Sequence, residues 1–205
     1  MARILVTSGP TRQYLDPVRF ISNGSTGTMG SAIVDAAIEA GHEVVVVSGP
    51  VAISYHAQAT TVDVQTTAEM LAACQLHFET CDALIAAAAP CDFQPRSVAE
   101  NKMKKTGEGM SVELVPTPDV LATLSKQKRS DQLTIGFALE SENERENAIA
   151  KMERKNCNWI VLNRPEAIGA NESHVEILDR SGVAWSGTAP KQEIAKRLIR
   201  LVTEK

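Results

Sequence analysis

Four stretches of this sequence combine residue types and spacings that can do chemistry. The first runs Gly9-Pro10-Thr11-Arg12, then from Asp16-Pro17-Val18-Arg19-Phe20-Ile21-Ser22-Asn23 through Gly24-Ser25-Thr26-Gly27-Thr28-Met29-Gly30. Small residues here let backbone N–H groups approach a phosphate at a helix N-terminus, which makes Ser25 and Gly27 candidates for nucleotide binding. A structural turn before a capped helix would have the same composition. The second stretch is Ala86-Ala87-Ala88-Ala89-Pro90-Cys91-Asp92-Phe93. Small side chains at a strand exit admit a ligand, and Asp92 can bind Mg²⁺ or hold a ribose or base. A tight helix–sheet contact is the competing explanation. Cys91 has no His near it in sequence and reads as a packed thiol, not a nucleophile.

The third stretch, Asn101-Lys102-Met103-Lys104-Lys105-Thr106-Gly107, is a cationic loop. It suits a mobile flap that closes over a triphosphate, or an ordinary solvated surface. The fourth is Phe137 and Glu140 at a strand exit, with Lys151 and Lys155 beyond. The two lysines are spaced i, i+4 and share one helix face, either toward a ligand or paired with surface acids.

Other chemistries are weakened. The glycines are spaced G-x-x-G-x-x-G and begin well after the first strand, and the second strand ends in Ser48-Gly49 without an acid for an NAD ribose. No Walker A sequence and no Y-x-x-x-K occur. His42, His56, His77 and His174 are scattered, and neither C-x-x-C nor H-E-x-x-H is present, so metal ligands stay unassigned.

Alternating strands and helices must position these residues. Apolar runs at Arg3–Thr7, Glu43–Ser48, Thr61–Val64, Ala83–Ala89, Leu133–Ala138 and Trp159–Asn163 read as strands. Ser111–Val115 is a further strand, and a long loop is expected from Ser8 to about Gly27. Helices are expected over Met29–Ala40, from the capping box Thr66-Thr67-Ala68-Glu69 to about Thr80, and after Thr117-Pro118-Asp119 with Thr117 as N-cap. Others follow from a capping box at Ser141-Glu142-Asn143-Glu144 to about Asn156, and over Pro190–Thr203. Val175–Asp179 and Val183–Ser186 flank a hairpin turn. The expected fold is α/β: a three-layer, Rossmann-like, mostly parallel sheet with helices on both faces and an antiparallel C-terminal hairpin, in one domain over residues 1–205. In such sheets ligands lie beyond the carboxyl ends of the strands, where the first, second and fourth stretches fall.

The chain has 205 residues, 43% hydrophobic, with a net charge of −4. That balance and only 2 Trp, 2 Tyr and 4 Phe argue against nucleic-acid binding. No apolar run approaches the length of a membrane span, and no signal peptide is seen, so the cytoplasm is expected. The 4 cysteines read as reduced thiols.

Taken together, the Asp16–Gly30 stretch, Ala86–Phe93, Lys102–Lys105, Thr117-Pro118-Asp119-Val120-Leu121, Gly136–Glu140 and Lys151–Asn163 closely resemble phosphopantothenoylcysteine synthetase. That family is the ligase half of the bifunctional bacterial coenzyme A biosynthesis protein, and the likeness is colinear over about residues 3–200. The resemblance implies that CTP activates 4′-phosphopantothenate to an acyl-cytidylate with loss of pyrophosphate. L-cysteine then gives 4′-phosphopantothenoylcysteine and CMP. It implies that Asn23 contacts the acyl group, where its amide N–H₂ can donate to the acyl oxygen. Arg19 and Ala89 would line that pocket, and Lys102 would serve acyl-cytidylate formation. Ala86, Ala87, Ala88, Asp92, Lys102, Pro118, Asp119, Val120, Leu121, Phe137, Lys151 and Lys155 would bind the nucleotide. It further implies Mg²⁺, a homodimer, no flavin on this chain, and a separate phosphopantothenoylcysteine decarboxylase as a candidate partner. The sequence departs from the family at Thr26 and at Pro90-Cys91, and the loop before Ser111 is short. Two other functions compete: a non-catalytic nucleotide sensor or scaffold, and, more weakly, an NAD(P)-linked reductase.

Overall fold

Strands form where the chain is apolar toward both faces. In β1 (Arg3–Ser8) and β4 (Glu43–Ser48), Ile4, Leu5, Val6 and the four valines are buried, and the two strands pair in parallel. The computed structural model describes residues 1–140, 142–164 and 172–203. Between and after these strands come β2 (Arg12–Tyr14), β3 (Phe20–Ser22), α1 (Thr28–Glu39), β5 (Thr60–Asp63), α2 (Thr67–Phe78) and β6 (Ala83–Ala86). They are followed by β7 (Phe93–Pro95), β8 (Leu114–Pro116), α3 (Val120–Gln127), β9 (Leu133–Leu139) and α4 (Glu144–Arg154). The chain continues through β10 (Trp159–Asn163), β11 (Glu172–Asp179) and β12 (Gly182–Pro190) to α5 (Lys191–Thr203).

Eight strands form the central sheet in the order β12-β11-β10-β9-β6-β1-β4-β5. Its strands are parallel from β5 across to β10, and β11 and β12 add the antiparallel end. The chain steps outward from β1 to β4 and β5, then returns to the opposite side of β1 with β6. That reversal puts a crevice at the carboxyl ends of β1 and β6. Alternating strand residues supply two cores. Val6, Ile85, Ile135 and Val161 pack with α1 and α5, while Leu5, Leu84, Ile160 and Leu162 pack with α2, α3 and α4. The expected three layers and C-terminal hairpin are therefore present.

Local chemistry explains several boundaries. Thr66 caps α2 as expected: its side chain accepts from Glu69 N, and the Glu69 carboxylate accepts from Thr66 N. Four expectations need correction. The stretch from Ser8 to Gly27 is not all loop, because β2 and β3 pair as a short hairpin. The N-cap of α3 is Asp119, not Thr117; the Asp119 carboxylate accepts from Ala122 N, while the Thr117 hydroxyl donates to Cys91 O. Helix α4 starts at Glu144 after a left-handed Asn143 that makes no side-chain cap; Ser141 lies outside the described residues. The strand expected at Ser111–Val115 is the shorter β8, which pairs antiparallel with β7.

One glycine is fixed by close approach. A Cβ at Gly49 would lie 1.6 Å from the Pro10 carbonyl oxygen, a backbone atom that cannot swing aside. Pro10 in turn bridges Ala89. Gly49→Ala is expected to destabilise the fold by about 3 kcal/mol, as overpacking against fixed backbone does. Urea unfolding measures it, and an unchanged midpoint would contradict this packing.

Candidate functional site

The loops leaving β1 and β6 are zipped together. Ala87 N donates to Thr7 O at 3.1 Å, Ala88 N to Thr7 Oγ1 at 3.3 Å, and Ala89 N to Gly9 O at 2.9 Å. A buried hydroxyl cluster holds the next turn. Cys91 N donates to Thr11 Oγ1 at 2.9 Å, the Thr11 and Thr67 hydroxyls are 2.8 Å apart, and Gln13 Nε2 donates to Thr67 Oγ1 at 2.9 Å. These bonds carry the pairing of β6 with β1 on past the strand ends, through Ala89.

Asn23 reaches this zipped loop. Its Nδ2 donates to Ala89 O at 3.1 Å and to Pro90 O at 3.0 Å. Both acceptors are carbonyls, so the amide nitrogen must face them, and both its hydrogens are used. The donor expected to meet an acyl oxygen is bonded here to the backbone of the Ala89 loop. Cys91 lies beneath, 4% exposed, with its thiol directed at Thr11 O. Burial raises its pKa, with Asp92 adding to the rise against hydrogen bonds from Thr11 and the Asn23 backbone, so it is a packed thiol.

Across the crevice, α3 and α4 bring the cations. Lys155 Nζ pairs with Asp119 Oδ2 at 3.0 Å, so Asp119 is spent on capping α3 and holding Lys155. Among the described residues Lys151 makes no ion pair. Burial lowers its pKa, helped by repulsion from Lys155, while Glu140, Asp92 and Asp119 oppose the shift. A half-buried lysine without a close counter-ion is prepared to gain from an arriving phosphate. Val120 and Leu121 are 6% and 7% exposed and pack in the core, so only their first-turn N–H groups are open to a ligand. Phe137 is half-buried at the carboxyl end of β9, and Pro118 is exposed just before α3.

Asn163, at the adjacent end of β10, was not singled out from sequence. Among the described residues its buried Oδ1 has no hydrogen-bond partner, and β10 lies beside Phe137's strand β9. A terminal Asn on an otherwise apolar strand was the available signal.

Ser25 is half-buried, and its hydroxyl lies 3.4 Å from Gly27 N. Gly27 is the N-cap of α1 in the left-handed region, with φ 78°, and α1 has no side-chain cap. A Cβ on Gly27 would meet Val51 and Ile53, and one on Gly9 would meet Val51. Val51 and Ile53 thus pack beside the glycine loop on its β4 side.

Lys102, Lys104 and Lys105 are exposed on the connection between β7 and β8. The flap is anchored at its base, because the Met103 backbone is bonded to Asp16 and Arg19. Asp16 is buried and its carboxyl is held at about 2: burial opposes the charge, but N–H donation from Val18, Arg19 and Met103 and the Arg19 guanidinium outweigh it. The folded value lies below the ordinary 3.8, so these bonds are fully present above that pH and are lost as pH falls through about 2. The structure therefore brings Asn23, Ala89, Asp92, Asp119, Lys151 and Lys155 around one crevice, with the flap beside Arg19.

Comparison with known proteins shows the family. The family described as DNA/pantothenate metabolism flavoprotein C-terminal domain matches residues 1–205. A cysteine/cysteine sulfinic acid decarboxylase from an unknown prokaryotic organism is 41% identical over 98% of this chain and 57% of its own length. The coenzyme A biosynthesis bifunctional protein CoaBC of Bacillus subtilis (strain 168) is 40% identical over 82% of this chain and 41% of its own length. The chain thus spans about half the length of these curated relatives, and their names describe longer proteins. The crystal structure of a CoaBC C-terminal domain is 36% identical, covers 100% of this chain and 97% of its own, and superposes with a TM-score of 0.81.

Proposed function

We propose that this chain, which belongs to the DNA/pantothenate metabolism flavoprotein C-terminal domain family, activates 4′-phosphopantothenate with CTP and condenses the acyl-cytidylate with L-cysteine. The products are 4′-phosphopantothenoylcysteine, CMP and pyrophosphate. The observation that carries this reading is Asn23 bonded to the Ala89 and Pro90 carbonyls, with the next side chain but one, Asp92, within electrostatic reach of Lys151, which makes no ion pair among the described residues.

A carboxylate is a poor electrophile until its oxygen belongs to a good leaving group. Lys151, Lys155 and the α3 N-terminus gather the polyphosphate, and Lys102 meets the charge that develops as pyrophosphate departs. The cysteine amine then bonds to the acyl carbon, the acyl–phosphate C–O bond breaks, CMP leaves with the electron pair, and the nitrogen gives up one proton to water. No covalent enzyme intermediate is needed, in keeping with the buried state of Cys91. No group of three or more His, Cys, Asp or Glu is arranged to hold a metal among the described residues. The exposed Asp92 suits an ion that arrives on the nucleotide phosphates, the usual mode for Mg²⁺. When bound, that ion neutralises phosphate charge. Nothing in this sequence of steps uses a flavin. A separate phosphopantothenoylcysteine decarboxylase would take the product onward.

The working unit in this reading is a homodimer in the cytoplasm. Phe20, Phe93 and Leu114 are 40%, 53% and 43% exposed on the β2–β3 and β7–β8 ribbons, an apolar surface beside the flap that a second copy would cover. No described helix is long and apolar enough to cross a membrane. The reductase alternative stays weakened by the G-x-x-G-x-x-G spacing and by Ser48-Gly49 at the end of β4, where an acid for the ribose would stand.

Pyrophosphate release tests the reading. It should require CTP and 4′-phosphopantothenate together, and kcat/KM for CTP should exceed that for ATP by about 10²-fold, because a base-specific site leaves polar groups unpaired with the wrong base. The active species should have the mass of a dimer. No release with both substrates would leave the sensor or scaffold alternative, and equal use of ATP would remove CTP from the assignment.

A further inference from the structure

The turn between β2 and β3 holds a carboxylate with no exposed surface, and its bonds lead off the turn toward the flap. Asp16 is 0% exposed. Its Oδ1 accepts from Val18 N and Arg19 N, both at 2.8 Å, which closes the turn. Its Oδ2 accepts from Arg19 Nη1 at 2.8 Å and from Met103 N at 3.1 Å. Arg19 Nη1 also donates to Met103 O at 2.9 Å. Both backbone polar groups of the residue after Lys102 are therefore held by one ion pair. A second tie lies upstream, where Ala99 N donates to Leu15 O at 2.9 Å. Lys102 sits between these two fixed points.

The same turn leads directly to Asn23. From Arg19 the chain runs through β3, which is paired with β2, and Ser22 Oγ donates to Thr11 O at 2.9 Å. A residue needed only to close a turn uses its side chain as an acceptor for local N–H groups, which Asn or Ser also does. Burying a full charge is costly unless it is paired and hydrogen-bonded. Here the second oxygen meets that requirement on a segment 87 positions away.

We infer that Asp16 is a positioning residue that holds Lys102 in register with Asn23, gripping Met103 through its own Oδ2 and through Arg19. The inference rests on the roles proposed above for Lys102 and Asn23. Asp16 touches no substrate; it fixes where the flap leaves the body of the protein, and so the distance between the group that serves the first step and the loop that serves the second.

Asp16→Asn keeps the Oδ1 acceptor that closes the turn, and presents an amide where Met103 N and Arg19 need an acceptor. Met103→Pro removes the N–H from the flap side, and Met103→Ala keeps it. Three readouts apply: hydrogen exchange of the Met103 amide, trypsin cleavage after Lys104 and Lys105, and steady-state pyrophosphate release. In Asp16→Asn, exchange and cleavage should each rise at least tenfold. The kcat should fall about 10²-fold, the cost of misplacing a reacting group by roughly 1 Å, with KM for CTP within about twofold. Met103→Pro should reproduce the cleavage and kcat changes, and Met103→Ala should match wild type in all three. If Asp16→Asn does not fold, the Met103 pair decides alone. Wild-type cleavage and kcat in Met103→Pro would overturn the inference, as would kcat and KM changing in parallel with a fall in Tm. A wild-type protein that releases no pyrophosphate would overturn the proposed reaction, while exchange and cleavage would still decide whether Asp16 holds the flap.

Discussion

Lys102→Gln should slow acyl-cytidylate formation by about 10²–10³-fold, the usual cost of removing one preorganised group that meets developing charge. Glutamine keeps much of the side chain's length and its hydrogen bonding but loses the charge, so the substitution isolates the electrostatic contribution. The Lys102 side chain is exposed on the flap, while the following residue is fastened to Asp16 and Arg19. That arrangement places a cation at a defined root with freedom at its tip. CTP affinity should change little, because Lys151 and Lys155 are carried by α4 and its C-terminal cap, apart from the flap. The comparison is a single-turnover measurement of pyrophosphate release beside direct CTP binding. A wild-type rate would remove Lys102 from the reaction and leave the flap as surface. A rate loss matched by an equal loss of CTP affinity would make it a binding lysine only.

The sheet was legible in the sequence because its strands repeat one signal. Runs such as Val44–Val47 and Ile4–Val6 read as strands covered on both faces, and they are. The capping box at Thr66 was legible for the same reason: a local pattern with a local cause. The hairpin of β2 and β3 was not, since three-residue strands are too short to show alternation. Asp16-Pro17 was nevertheless a turn signal, and the Asp16 carboxylate does close a turn on Val18 and Arg19. The N-cap of α3 was misplaced because Thr117 and Asp119 are both good caps; the choice fell to Asp119, whose second oxygen holds Lys155 from α4. No sequence pattern carries that long-range preference. The same limit explains the site. Sequence and resemblance named Asn23 and Lys102, but the bonds that place Asn23 and the root of the flap run through backbone atoms of Ala89, Pro90 and Met103, whose side chains give no hint of the role.

Asn23→Asp should separate the two half-reactions, and the observed geometry gives the reason. The Asn23 amide donates twice, to carbonyls of Ala89 and Pro90 at 3.1 and 3.0 Å. An ionised aspartate is an acceptor only, so at those distances it would set a carboxylate oxygen against two carbonyl oxygens. The Gly-rich loop and the Ala89 loop would part at the place where the acyl group is expected to lie. The nucleotide side is built elsewhere, on α3, α4 and the ends of β9 and β10, and Asp119 with Lys155 does not depend on Asn23. Cytidylation should therefore partly survive, while attack by cysteine slows about 10²-fold and the acyl-cytidylate accumulates. The substitution also tells two roles of Asn23 apart. Its Oδ1 is an acceptor, and aspartate still offers an acceptor there. If Asn23 served only by receiving a hydrogen from the incoming amine, the variant would keep the second step. If the paired donation to Ala89 and Pro90 is what matters, the second step fails although an acceptor remains. Mass spectrometry of quenched single-turnover mixtures reads the intermediate and the cysteine adduct directly. Loss of both half-reactions to the same extent, or normal adduct formation, would remove Asn23 from the second step and leave it as a brace between two loops.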